Sequence, residues 1–324
     1  MDNSFITFKS AFKAYREFRN KEILLSFQKS NSAPTKMLSY SRENFRDIIN
    51  AIPELNNDKI DVSLVSKEHV YSSKHFNFHR YAGEYPHGSF YNLSQGIYIA
   101  CPELMFCQLA AIYSYEKLML LGYEICGTYS YNENSPIGFS NNISPLTSVQ
   151  NILNFIVKLQ KCSYNFPGLK NAKKAADYLL DCSASPQESR LSILLAGPRS
   201  VGAFGLKNCC LNRKVKLSNK AASICNQPYV YPDICILNKK IAIEYDSDYF
   251  HDENQNRKDK RRINALQYDG WKTFAFVADQ LHNYQAVKNL ALNILVANGQ
   301  SSRIRVKDFD LKFHKLMDFL YANY

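Results

Sequence analysis

The stretch 232-PDICILNKKIAIEYD-246 decides how this chain is read. Two β-branched apolar runs, ICIL and IAI, stand on either side of a short polar break, which reads as a hairpin. The open end of that hairpin is acidic. Asp233 precedes the first run, and Glu244 and Asp246 follow the second. Side chains alternate along a strand, so Glu244 and Asp246 share one face while Ile243 and Tyr245 take the other. Asp233 supplies a third carboxylate from the neighbouring strand. Carboxylates gathered in this way repel one another unless a cation or a set of donors offsets the repulsion. An all-oxygen cage of this kind suits hard cations, so the expected cofactor is Mg²⁺ or Mn²⁺.

Working outward, the acids are followed by 257-RKDKRRINAL-266, an amphipathic helix pattern closing at Gly270. Its Lys258, Lys260, Arg261 and Arg262 are candidates for binding a phosphate backbone. Acids for a metal and bases for phosphates, a few residues apart, are what phosphodiester hydrolysis requires. The plain alternative is a solvated face on which Glu244 and Asp246 are bridged by Lys239, Lys240 and the arginine block.

The whole chain has 324 residues, 46% hydrophobic and 21% charged, with a formal net charge of +11. This is a globular composition and excludes a disordered chain. The positive balance fits a polyanionic partner, nucleic acid above all. Nine cysteines are scattered without a CxxC pair, which argues against a zinc site and for reduced thiols in a cytoplasmic protein. The first residues interleave acids and bases without an apolar core, unlike a signal peptide. The most apolar stretch, 104-LMFCQLAAIYSYEKLMLLGY-123, is broken by Gln108, Glu116 and Lys117 and reads as a core helix, so no membrane partner is expected.

The pattern along the chain implies two domains. Residues 1–180 read as an α+β unit, helical over 1–30, with short aromatic-rich strands over 60–100 and helices over 101–181. Four of the seven histidines, His69, His75, His79 and His87, fall among those strands. Without an acid or thiol at ligand spacing they read as surface or DNA-facing groups. Residues 185–324 begin with 185-SPQESRLSILLAG-197, where Ser185 or the residue beside it can cap, Pro186 fits the first turn and Glu188 stands three residues past Ser185. Strands at 227–237, 240–246 and 271–278, the basic helix and two final helices over 282–297 and 307–322 complete the unit.

The order Glu188, Pro232-Asp233, an apolar strand ending Glu244-x-Asp246, then His251, Asp259-x-x-Arg262 and Gly270-Trp271 resembles the PD-(D/E)xK nuclease superfamily. Within it, residues 185–280 look most like small bacterial endonuclease-like domains and very-short-patch repair endonucleases. The resemblance implies a restriction-endonuclease-like α/β core, a mixed sheet flanked by helices. It implies Asp233, Glu244 and Asp246 as metal ligands and Glu188 as support for the metal or its water. His251 would be an acid/base or a phosphate contact. Arg262 would bind phosphate or pair with the acids of its helix. Two positions depart from the pattern: Asp246 stands where the superfamily usually has Lys, and Ser247 where the related branch has Gly. A weaker resemblance links residues 60–180 to bacterial abortive-infection antitoxin-like regulators of the AbiEi type. The expected function is a metal-dependent DNA endonuclease in a defence or mobile-element setting. A second copy or a protein partner would be engaged through the N-terminal domain. The alternative is an inactive nuclease fold acting as a DNA-binding regulator or antitoxin.

Overall fold

The computed structural model describes residues 3–21, 28–30, 40–64, 73–81, 83–162, 165–246 and 253–321. The chain forms two compact units, Met1–Asp177 and Tyr178–Tyr324, each mixing helices with a sheet of mixed pairing.

The first unit opens on a strand, β1 (Ser4–Ile6), before helix α1 (Phe8–Asn20). The expected helix over 1–30 is thus cut short at both ends, because Gln28–Ser30 is a second strand, β2. Three residues are too few to display a period of two. Phe8, at φ 48°, turns the chain abruptly from strand into helix. After α2 (Arg42–Ala51) come β3 (Ile60–Leu64), β4 (Phe76–Arg80), β5 (Phe90–Ser94) and β6 (Ile97–Ala100). They form one sheet in the order β2-β5-β6-β1-β3-β4. The short β1 is therefore interior, parallel to β6 and antiparallel to β3. Helix α1 buries Ala11, Ala14, Tyr15 and Phe18, an apolar stripe at helical spacing.

The long apolar stretch after 100 is two helices, not one. α3 (Pro102–Leu109) stops at Ala110, and α4 (Tyr115–Cys126) restarts where Ser114 caps the amide of Lys117. Glu124, buried in α4, holds Arg16 of α1 through contacts of 2.8 and 2.7 Å. Hairpin strands β7 (Ser130–Tyr131) and β8 (Phe139–Ser140) and helices α5 (Val149–Cys162) and α6 (Leu169–Ala176) complete the unit. Among the described residues no helix is long and apolar enough to cross a membrane.

Two histidines of this unit have specific partners, while His87 is exposed. His79 lies 2.8 Å from the buried Asp61 and stacks on Phe8, and His75 packs against Phe45. The acid missing from the local spacing comes from the adjacent strand, since β3 and β4 pair Asp61 with Asn77 and Ser63 with His79. His69 lies outside the described residues.

The second unit starts with α7 (Pro186–Ala196), followed by β9 (Cys210–Leu211), β10 (Val215–Lys216), α8 (Asn219–Cys225) and β11 (Tyr229–Val230). Then come β12 (Ile234–Ile236), β13 (Ile241–Asp246), α9 (Glu253–Tyr268), β14 (Lys272–Val277), α10 (Tyr284–Ala297) and α11 (Phe309–Tyr321). The main sheet has the order β14-β13-β12-β9. β12 and β13 form the hairpin, turned by a 3₁₀ segment at Leu237–Lys239 and by Lys240 at φ 48°. β13 and β14 run parallel, which α9 makes feasible as the crossover.

The strand expected over 227–237 is two strands in two different sheets. β11 pairs with β10, and only β12 enters the main sheet. Pro232, which has no amide to give a ladder, sits at the division. Ile234, Cys235, Ile236, Ile241, Ala242 and Ile243 are all buried, so the middle of the sheet is covered on both faces. Cys235 and Ala242 pack with Ala265 and Leu266 of α9 and with Trp271 in one apolar cluster.

Candidate active site

The hairpin register builds the site. β12 and β13 pair Ile236 with Ile241 and Ile234 with Ile243. One step further toward the open end, Asp233 stands across from Glu244. Opposite residues of an antiparallel pair share a face, with Cβ atoms about 4.5–5.5 Å apart. Asp233 also reaches sideways: its Oδ2 accepts the amide of Tyr245 at 2.7 Å.

On the other side of β12 the same level of the sheet is occupied by Asn212. Its amide donates to the Asp233 carbonyl at 3.2 Å, extending the pairing of Leu211 with Ile234. Asn212 has φ 48°, a left-handed conformation that Asn adopts more readily than other non-glycine residues. From there its side-chain amide donates to Glu188 Oε2 at 2.6 Å and to the Cys182 carbonyl at 2.9 Å. Glu188, at the start of α7, also accepts the Ala184 amide at 2.9 Å, while the Ser185 hydroxyl accepts the Glu188 amide. Glu188 therefore reaches back one residue beyond the cap. The sheet level reads Asn212, Asp233, Glu244, with Glu188 held at the Asn212 end.

From α9, Arg262 faces the acids. Its Nη2 lies 3.5 Å from Glu244 Oε2, and its Nη1 donates to Asp259 Oδ1 at 2.9 Å. Lys258, Lys260 and Arg261 are exposed on the same helix, so Arg262 alone of the four basic candidates turns toward the carboxylates. Asp246 is exposed at the end of β13. His251 lies outside the described residues.

These positions change acidity in one direction. Burial, then the charge of Asp233, push Glu188 up to about 7. Burial pushes Asp233 up to about 6, against the Tyr245 amide and Arg262, which hold it down. Burial and Asp233 together push Glu244 up to about 8, with Arg262 opposing. All three shifts run upward because burial disfavours the charged form of each carboxyl.

Among the described residues, no three His, Cys, Asp or Glu side chains are placed so as to hold a metal ion. Asp233 and Glu244 are instead directed to the Tyr245 amide and to Arg262. Their chemistry nonetheless fits a hard divalent cation: the facing donors are all carboxylate oxygens, and a nearby cation would reverse the shifts that burial imposes.

Trp271 of the sequence pattern and Asp269 just before its Gly270 both have structural work. Asp269 accepts the amide and hydroxyl of Ser218, at 2.7 and 2.5 Å, and so ties the cap of α8 to the end of α9. Trp271 lies in the apolar cluster. Asn212 was not readable in advance. It lies 24 residues from its carboxylate partner, and an Asn beside a two-residue strand carries no periodic signal. No family model, curated protein or solved structure matches the chain.

Proposed function

We propose that the second unit is a restriction-endonuclease-like core of the PD-(D/E)xK kind, and that the protein is a metal-dependent nuclease acting on DNA. The observation that carries this reading is the pair Asp233 and Glu244, facing each other across the hairpin with both carboxyls pushed toward neutral pH. In this reading Asp233 and Glu244 hold Mg²⁺ or Mn²⁺, with Asp246 beside them. The ion supplies charge neutralisation at phosphate and an acidified water. The chain's own groups do the rest. Lys258, Lys260 and Arg261 face outward to take backbone phosphates. Arg262 balances the acids. Glu188, held by Asn212 and titrating near 7, accepts or releases a proton close to working pH. The first unit serves substrate or partner recognition, in a bacterial defence or mobile-element setting.

A second reading has its own support. Asp246 stands where the superfamily has Lys, and the two central carboxylates already engage protein donors. A DNA-binding regulator that does not cut would carry these features.

Plasmid incubated with the protein and Mg²⁺ or Mn²⁺ separates the two. Nicking that requires the metal and disappears in both Asp233→Ala and Glu244→Ala supports the nuclease. Binding without cutting under any metal supports the regulator. Neither binding nor cutting would sink both.

A further inference from the structure

The edge strand of the second unit carries a feature the nuclease reading does not use. β9 and β12 pair Cys210 directly with Cys235, and their sulfurs are 3.3 Å apart. Opposite residues in an antiparallel pair have Cα atoms about 4.5–5.5 Å apart. That lies inside the roughly 4.4–6.8 Å that a disulfide spans. Closing the bond thus needs movement of about an ångström at the sulfurs and none in register. We propose that Cys210 and Cys235 form a reversible disulfide when the protein meets a hydroperoxide.

The two thiols have unequal surroundings. Cys210 is half-buried on an edge strand, within reach of a small oxidant, whereas Cys235 is fully buried in the apolar cluster. The hydrogen bond between the two thiols, with the positive charge of Arg213 nearby, lowers the pKa of Cys210 to about 7, which favours its thiolate. Cys210 is the attacking group. Its thiolate forms an S–O bond as the O–O bond of the hydroperoxide breaks, giving a sulfenic acid and an alkoxide, or hydroxide where hydrogen peroxide is used, which takes from water the proton that Cys210 released on ionising and leaves as alcohol or water. The sulfur of Cys235 then forms the S–S bond as that S–O bond breaks. The departing hydroxide takes the Cys235 proton and leaves as water. Two thiols lose two electrons and the hydroperoxide gains them. The second step needs no solvent access to Cys235, because its partner is already in contact.

The link would join β9 to β12 two residues from Asn212 on one strand and two from Asp233 on the other. It would fasten the edge on which Asn212 positions Glu188. The chemistry itself rests on the strand pair and is independent of any nuclease activity.

The test uses the full chain, reduced, desalted, exposed to hydrogen peroxide, alkylated and digested. The expected product is a peptide pair joined through Cys210 and Cys235, two hydrogens lighter than its parts and separated again by dithiothreitol. Cys210→Ser and Cys235→Ser should each abolish it, and Cys209→Ser should leave it in place. Amide exchange at Asn212 should slow in the oxidised protein. The proposal is overturned if Cys210 and Cys235 both remain alkylatable at peroxide levels that oxidise the exposed Cys162. It is equally overturned if Cys210 links to Cys209 or another thiol, or stops at an unpaired oxidised acid. Where Cys235→Ser fails to fold, the mapping of the unmodified chain and of Cys209→Ser decides the matter.

Discussion

Glu244 holds its proton far longer than a free carboxyl, to about pH 8 against an ordinary value of 4.5. Burial is the main cause and Asp233 the second. The folded chain therefore keeps a proton that the unfolded chain gives up at lower pH. Stability from this source is complete below the unfolded value and is lost as pH rises through about 8. Glu244→Gln fixes the neutral form. It should stabilise the protein at pH 9 by on the order of 1–2 kcal/mol, and change little at pH 5. In a thermal melt that is roughly 3–6 °C. A lower melting temperature at pH 9 would contradict the assignment. Millimolar Mn²⁺ should raise the melting temperature of the wild-type protein at pH 8 more than that of Glu244→Gln, because a ligand that binds only the folded state stabilises it. Equal shifts would remove Glu244 from the metal set.

Helix α7 brings Glu188 to the sheet, and its start depends on Ser185. Removing that cap with Ser185→Ala should cost about 1 kcal/mol, readable in urea denaturation. Gly202 is a harder constraint. It sits at φ 99°, and a side chain there would meet the backbone of Lys312 in α11 at 2.4 Å. Gly202→Ala should destabilise the second unit by about 2 kcal/mol or more, since neither the backbone conformation nor the space suits a methyl group.

At this scale the sequence was readable where periodicity is strong. The β12–β13 hairpin, α9, β14 and the two final helices all show in the alternation of apolar and polar residues. β1, β5 and α8 do not, because their form is set by neighbours. β1 is three residues long yet interior, and α8 depends on a cap that Asp269 holds from across the chain. Asp233 and Glu244 were readable as acids beside apolar runs, and Glu188 from its place three residues past the Ser185 cap. Asn212 and the pairing of His79 with Asp61 were not, since each is created by a register between strands.

The whole molecule carries a net charge of +11, and part of that charge is concentrated on α9. If α9 meets a phosphate backbone, binding should weaken steeply with salt, by a slope of about 0.9 per phosphate neutralised on duplex DNA. Replacing Lys258, Lys260 and Arg261 with Ala should flatten the plot of log affinity against log salt. Fluorescence anisotropy over a salt series measures it. An unchanged slope would place the contact surface elsewhere, since the first unit has its own lysines and arginines.

The turn at Leu237–Lys240 is exposed and, by ordinary standards, should accept an extra residue. It sets the parity of the hairpin. One residue inserted after Asn238 could be absorbed as a looser loop, and then Asp233 would still face Glu244. If instead it slipped the pairing, Asp233 would face Ile243 or Tyr245, and one acid would turn to the opposite side of the sheet. Two residues restore parity. A scan of one- and two-residue insertions at this turn should therefore give losses in metal response that alternate with insertion length, which a turn serving only as a connector would not produce.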